Sequence, residues 1–291
     1  MKNATTSLIV GVDGLIGRAL AVALTNVGQT VIGTTRRATA VSETNIFLDL
    51  TADIANWHPP CQIDVAYLCA AVSSLEQCRQ NPEVSFLVNV FNTIELAKAL
   101  VSSGTFVIFL STNQVYDGSI PFRNPDDLVC PRTEYGRQKA EVERQLLALG
   151  SLVSIVRLTK ILSFDTLLFQ GWIQSLRNNQ VIHPFSDMVM APVPLSFAVS
   201  VLSQLAKVRL PGIIQISGEK DVTYEQVAYY IAQQIGAKQE LIKPLTSKEA
   251  NLPLESISLH TTLNTNRLYK DLGMKVPNVE NTLILTLNIE R

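Results

Sequence analysis

Charge of one sign, clustered cysteines and long apolar runs are all scarce in this sequence of 291 residues, and each scarcity removes a class of function. Lys and Arg number 24 against 25 Asp and Glu, for a net charge of -1, and no block of like charge is longer than Arg36-Arg37. The chain therefore lacks the electrostatic footprint that nucleic acid or an anionic membrane would require. Cys61, Cys69, Cys78 and Cys130 have no Cys-x-x-Cys spacing, and the 3 histidines are scattered. No metal site is expected, and reduced thiols point to the cytoplasm. The apolar run near residue 10 is too short for a signal peptide, and no later run is expected to span a membrane. What the sequence does have is 47% hydrophobic residues, enough core for one large domain or two closely joined lobes.

The first half alternates short apolar runs with helical periodicity, the pattern of a parallel sheet covered on both faces. Strands are expected at 7–12, 30–34, 46–50, 65–70, 105–111 and 153–158. These define an α/β chain with a Rossmann-type doubly wound sheet. A helix capped by Asn81, with Pro82 in its first turn, should present Val84, Leu87, Val88, Phe91, Ile94 and Val101 on one face and stop at Gly104. The rhythm changes after about residue 158. Helices are expected at 167–177 and 197–207, with a loop at 178–194 between them and a strand at 213–217 after them. Thr223-Tyr-Glu-Gln226 has the form of a capping box, opening a helix that Gly236 ends. The expected division is a nucleotide-binding domain at 1–160 and a smaller α/β substrate region at 161–291, with a cleft between them.

Gly11, Gly14 and Gly17 lie between the first strand and the first helix, and Asp13, Leu15 and Ile16 belong to the same turn. Glycine there permits a tight turn and close approach of backbone to a pyrophosphate, while the helix N-terminus supplies amide donors. The second strand ends in Thr34-Thr35-Arg36-Arg37, where an NAD-binding chain would carry an acid. Guanidinium groups suit a 2′-phosphate, so NADP(H) is favoured over NAD(H). Asp49, with Leu50, stands at the end of the third strand as a candidate for the adenine amino group. Ala70-Ala71 offers small side chains where the cofactor would cross the sheet edge.

Tyr135-Gly-Arg-Gln-Lys139 places a phenol and an ammonium four residues apart on one helix face. A ketone that receives a hydride needs a proton, and an unperturbed phenol of pKa about 10 is a poor match at neutral pH. A nearby ammonium should lower it. Thr112, at the end of the strand 105–111 and followed by Asn113, can donate to the same carbonyl oxygen. Ser111 is the alternative, but alternation along a strand should turn only one of the two hydroxyls into the cleft.

Gly-x-x-Gly-x-x-Gly, the run Ser-Thr-Asn-Gln-Val-Tyr-Asp-Gly at 111–118, and Tyr-x-x-x-Lys together resemble the extended short-chain dehydrogenase/reductase family. The chain is most similar to its dTDP-4-dehydrorhamnose reductase branch. Ser217-Gly218 and the segment 260–268 resemble late parts of the same branch. The resemblance implies a Rossmann domain, NAD(P)H, catalytic Thr112, Tyr135 and Lys139, and a nucleotide sugar held by the C-terminal region. Dehydratases of the family carry an acidic pair where this chain has Asn113-Gln114, which argues against 4,6-dehydration. The expected activity is NADPH-dependent reduction of a 4-keto nucleotide sugar. The alternatives are an epimerase of the same fold and a non-catalytic, NADP-binding regulatory subunit. Lys160, after the sixth strand, is read in two ways, as a contact for substrate phosphate or as a solvated lysine. The helices at 84–102 and 135–148 resemble a pair that forms homodimer interfaces in the family.

Overall fold

The computed structural model describes residues 5–287, so the first four residues of the expected nucleotide domain and the last four of the expected substrate region lie outside it. Its first half runs β1 (Thr6–Val10), α1 (Leu15–Asn26), β2 (Thr30–Thr35), β3 (Asn45–Phe47), β4 (Val65–Leu68), α2 (Leu75–Gln80), α3 (Pro82–Phe86), α4 (Thr93–Ser102), β5 (Phe106–Thr112), α5 (Glu134–Leu147) and β6 (Val153–Leu158). The second half adds β7 (Lys160–Leu162), α6 (Leu167–Arg177), β8 (Val189–Met190), β9 (Pro192–Pro194), α7 (Leu195–Val208), β10 (Gly212–Ile216), β11 (Val222–Thr223), α8 (Tyr224–Ile235), α9 (Asn266–Leu272) and α10 (Val279–Leu287).

Seven strands form one sheet in the order β10-β6-β5-β4-β1-β2-β3. Every pairing in it is parallel. The fold is thus Rossmann-type, and the strand order reverses between β1 and β4, the switch point at which such sheets open a crevice at their carboxyl ends. β4, β5 and β6 are buried along their whole length, which explains their near-continuous apolar sequences. Val88, Ile94, Leu100, Val142 and Leu146 cover one face of the sheet. Leu20 and Leu24 of α1, with Ala198, Leu202 and Leu205 of α7, cover the other. Each Val, Leu or Ile among them contributes about 1.5–3 kcal/mol when withdrawn from water.

A separate core joins Phe169 and Ile173 of α6, Val227 and Ile231 of α8, and Leu283 of α10. The capping box of Thr223 and Gln226 forms at the start of α8, and Gly236 ends it in the left-handed conformation. The loop expected at 178–194 contains β8 and β9, which pair with β11 and β7. The strand expected in the second region, β10, instead joins β6 in the large sheet. The chain therefore returns to the large sheet after leaving it, and the smaller lobe is interleaved with the larger.

The stretch expected as one Asn81-capped helix is built differently. Ser74 caps an earlier helix, α2, by accepting from the Gln77 amide, while the Asn81 side chain makes no capping bond. Between α3 and α4, residues Leu87–Asn92 form a π-helical turn. A wider turn rotates the residues before it relative to those after it, so one helical period cannot describe both. Val88 and Ile94 are buried as expected, whereas Val84 and Phe91 face outward. The run Pro82–Ser102 is long and apolar enough to span a membrane, contrary to the sequence reading, but more than half of it packs inside the protein. The third strand also ends early, at Phe47. Asp49 accepts from both the amide and the hydroxyl of Thr51, which curls the chain out of the ladder.

Candidate functional site

The crevice at the switch point is a cavity of about 830 Å³. Gly11, Asp13 and Gly14 line one side, Thr35, Arg36, Asp49 and Leu50 another, and Ala70 and Ala71 a third. Thr34 fixes the glycine turn: its hydroxyl accepts from the Gly11 amide at 3.1 Å, and its carbonyl accepts from the Val12 amide at 3.1 Å. A Cβ on Gly17 would lie 2.3 Å from the Gly11 carbonyl oxygen, so glycine is needed there for α1 to press against the turn. Leu15 and Ile16 form the first turn of α1 with Gly17 and stand outside the cavity lining. No acidic residue occupies that turn, which leaves its amides open to an anion.

The two arginines part company. Arg37 forms an ion pair with Asp13, whose other oxygen accepts from the Thr35 hydroxyl at 2.6 Å. These bonds hold the Asp13 carboxyl below the usual range. Arg36 lines the cavity, and its charge helps to lower Asp49, mainly held down by the Thr51 bonds. The arginine pair read from the sequence thus divides into one cavity-facing guanidinium and one that neutralises an aspartate.

A second cavity of about 310 Å³ lies beside the first, and Ser73 lines both. Thr112 and Tyr135 wall it from the large lobe, with Asn113 and Gln114. Tyr224, Ser256, Ser258 and Thr261 close it from the small lobe. Alternation along β5 separates the two hydroxyls as expected. Ser111 donates to Glu143 at 2.5 Å on the buried side, while Thr112 faces the cavity and accepts from the Gln114 amide at 3.2 Å. Tyr135 lies in the first turn of α5, where Thr133 caps the helix by accepting from the Gly136 amide. A Cβ on Gly136 would lie 2.1 Å from the Gln114 carbonyl oxygen, so that glycine lets the tyrosine's helix approach the turn after Thr112.

Lys139 lies behind Tyr135 and is 2% exposed. Its ammonium donates to the Leu110 carbonyl at 2.7 Å and sits 4.3 Å from the Phe109 ring centre and 5.8 Å from that of Tyr135. Burial pushes Lys139 down to about 8, opposed by the nearby Glu143 carboxylate. The phenol departs from the expectation. Desolvation drives Tyr135 well above the ordinary phenol range, with the Cys78 thiol a smaller contributor in the same direction. For both groups the largest influence is the cost of desolvating the charged form, which raises the phenol and lowers the ammonium.

Several residues that support the site escaped the sequence reading. Asn89, in the π turn, accepts from the Val72 amide at 2.8 Å and donates to the Val72 carbonyl at 2.9 Å and to Gln138 at 2.8 Å. It clamps the loop between the cavities to the helix that carries Tyr135 and Lys139. Asn92 donates to the carbonyls of Leu50 and Ala52, tying down the loop after β3. Polar residues inside an apolar helical run were the available signal. Arg157 and Glu143 form a buried ion pair at 2.6 Å, and Arg157 also donates to the Tyr116 hydroxyl. Asp221 accepts from the Thr261 amide and hydroxyl at 2.9 and 2.7 Å and from Thr262 at 3.1 Å, fixing the segment that closes the second cavity. Among the described residues no cluster suited to a metal ion is found, and all four cysteines are free.

With this geometry in place, likeness to known proteins becomes informative. Residues 5–291 match the family model described as RmlD substrate binding domain. A probable low-salt glycan biosynthesis reductase of Haloferax volcanii is 23% identical over 95% of both chains. A dTDP-4-dehydrorhamnose reductase of Aggregatibacter actinomycetemcomitans is 26% identical over 80% of both. Methionine adenosyltransferase 2 subunit beta of Xenopus laevis is 25% identical over 83% of this chain and 75% of its own. Among solved structures, dTDP-4-dehydrorhamnose reductase from Bacillus anthracis in complex with NADP superposes with a TM-score of 0.82 at 16% identity, covering 97% of each chain. A dTDP-glucose 4,6-dehydratase from Streptomyces venezuelae with NAD bound gives 0.77 at 16% identity, covering 98% of this chain and 96% of that one.

Proposed function

The chain belongs to the RmlD substrate binding domain family, within the extended short-chain dehydrogenase/reductases, and on that premise we propose that it is an NADPH-dependent reductase of a 4-keto nucleotide sugar. It is an NAD(P)-dependent enzyme of that type. The observation that carries the reading is the meeting of two cavities at Ser73, one built round the glycine turn and the other walled by Thr112 and Tyr135.

The residues of the first cavity fit a dinucleotide. The close Gly11–Gly17 approach leaves room for a pyrophosphate at the acid-free start of α1, and Asp49 and Leu50 form the adenine side. Arg36 supports NADP over NAD, since it faces the cavity while Arg37 cancels the Asp13 charge that would repel a 2′-phosphate. Bound NADPH would supply the hydride. On the protein side, Thr112 and Tyr135 hold the substrate carbonyl oxygen by donating to it, and Tyr135 delivers the proton. The phenol is protonated at neutral pH, the form a reduction needs, and although burial makes it a weaker acid, the alkoxide that hydride transfer produces is a stronger base than phenolate and can take its proton. Lys139 spends one donor on Leu110 and retains others for the nicotinamide ribose. Asn113-Gln114 beside Thr112 supplies no carboxyl group for dehydration.

The reading is tested by mixing the protein with NADPH and dTDP-4-keto-6-deoxy sugars and following loss of absorbance at 340 nm. One NADPH consumed per sugar reduced is the expected result. Sugar interconversion without net consumption would establish an epimerase instead. Tyr135→Phe should lower turnover by at least about a hundredfold while NADPH affinity stays within about twofold. Wild-type turnover in that variant would remove the catalytic assignment.

One observation favours a second reading, a cofactor-binding regulatory subunit: the likeness to a subunit of methionine adenosyltransferase. NADPH binding without oxidation on any 4-keto sugar would support it. A cytoplasmic location accords with the four free thiols. A homodimer accords with the exposed Val84, Phe86 and Phe91 on the helices that resemble the family's pairing face.

A further inference from the structure

We propose that Lys160 reads the substrate: it binds an anionic oxygen group that the substrate carries on or beside its sugar, either a carboxylate or the sugar-proximal phosphate. The inference rests on the nucleotide-sugar reading and narrows it to a class of substrate.

Lys160 opens β7 and lines the second cavity, the one walled by Thr112 and Tyr135. It is the charged side chain of that lining; every other described lining residue is neutral or apolar, and no carboxylate is among them. None of the ion pairs formed by the described residues includes it. Its side chain remains exposed at the cavity wall, while partial desolvation by the atoms around it lowers its pKa. Those two facts agree when a side chain stands on the wall of a concavity. Withdrawing an ammonium from bulk water with no counter-charge is unfavourable, and an arriving anion removes that cost through charge-assisted hydrogen bonds.

Chain connectivity keeps Lys160 near the end of the cavity that holds Thr112. Thr112 pairs with Leu158 across β5 and β6, and Lys160 follows two residues later, after β6 has ended and at the start of β7. Two residues of chain reach at most about 7 Å, so its Cα stays within that distance of the Leu158 Cα. The four-carbon stem can span most of that distance. A sugar whose carbonyl rests on Thr112 and Tyr135 thus brings its own substituents, or the phosphate next to it, to the ammonium. The nucleoside, farther along the substrate, is not what this cation reads.

The test compares wild type, Lys160→Gln and Lys160→Arg, each saturated with NADP, by calorimetric titration with UDP-glucuronic acid, UDP-glucose and dTDP-glucose. Melting temperatures of the NADP-bound variants establish that each is folded. Lys160→Gln should bind the acid at least about tenfold more weakly, the worth of one charge-assisted hydrogen bond, and Lys160→Arg should stay within about threefold. Loss confined to UDP-glucuronic acid identifies a carboxylate; equal loss for the uncharged sugars identifies the phosphate. Unchanged affinity of Lys160→Gln for every probe that wild type binds overturns the proposal. Should wild type bind none of the three, the nucleotide-sugar reading falls, and pyrophosphate and glucuronate then decide the role of the cation by thermal shift. Stabilisation of wild type that Lys160→Gln loses upholds an anion site, and equal shifts in both, or none, overturn it.

Discussion

Arg36 and Arg37 are neighbours in sequence and differ in task. Arg36 faces the nucleotide cavity, and Arg37 neutralises Asp13 at its rim. Arg36→Ala should therefore weaken NADP by about tenfold and NAD hardly at all, as measured by fluorescence titration. Arg37→Ala should also favour NAD, because it uncovers the Asp13 carboxylate near a 2′-phosphate. Equal losses for both cofactors in both variants would remove the case for 2′-phosphate recognition. Lys139 leads to a prediction of a different kind. Its pKa of about 8 lies below the ordinary 10.5, so between those values the unfolded chain holds a proton that the folded protein has released. Wild-type stability should rise with pH across that window and stay penalised below it, by on the order of 3 kcal/mol. Lys139→Met should be inactive, and its stability relative to wild type should be greatest below pH 8 and decline toward pH 10.5. A pH-independent difference in melting temperature would refute the assignment.

Local signals in the sequence located most strands of the large sheet and the motif-bearing turns, because their information lies within one turn of chain. Gly11, Gly14 and Gly17 mark a strand-to-helix turn, Tyr135 and Lys139 share a helix face by spacing alone, and Thr223 with Gln226 announced a cap that the structure forms. What was not legible acts across distance. Asn89 reaches Val72 and Gln138 from a π turn, and no helical period displays such a turn. Desolvation of Tyr135 was equally hidden, since it depends on everything packed round the phenol. Gly136 occupies an unspecified position of Tyr-x-x-x-Lys, yet its missing side chain is what admits the Gln114 carbonyl. Gly136→Ala would ordinarily favour a helix by about 1 kcal/mol. Here it should instead destabilise the protein, by about 1–3 kcal/mol through overpacking, and cut turnover by moving Tyr135 from Thr112. An alanine variant with a raised melting temperature and full activity would contradict that account.

The outward-facing Phe86 and Phe91 give the whole molecule an apolar patch flanked by Glu83 and Glu134. If two copies pair through it, Phe91→Asp should yield a monomer of unchanged fold by light scattering and circular dichroism, because Phe91 is already 55% exposed in the single chain. A wild-type monomer at micromolar concentration would discard the dimer.

β10 covers the outer edge of β6. A fragment ended after residue 160 would keep the glycine turn, Thr112 and the Tyr-x-x-x-Lys helix and lose that cover, leaving the backbone donors and acceptors of a fully buried strand open to other chains. Such a fragment should precipitate through edge-to-edge strand pairing, and a mixture of the two halves would not rebuild the sheet efficiently. The nucleotide-binding motifs are contiguous in sequence, but the smallest piece of chain that can display them in soluble form extends at least to Ile216.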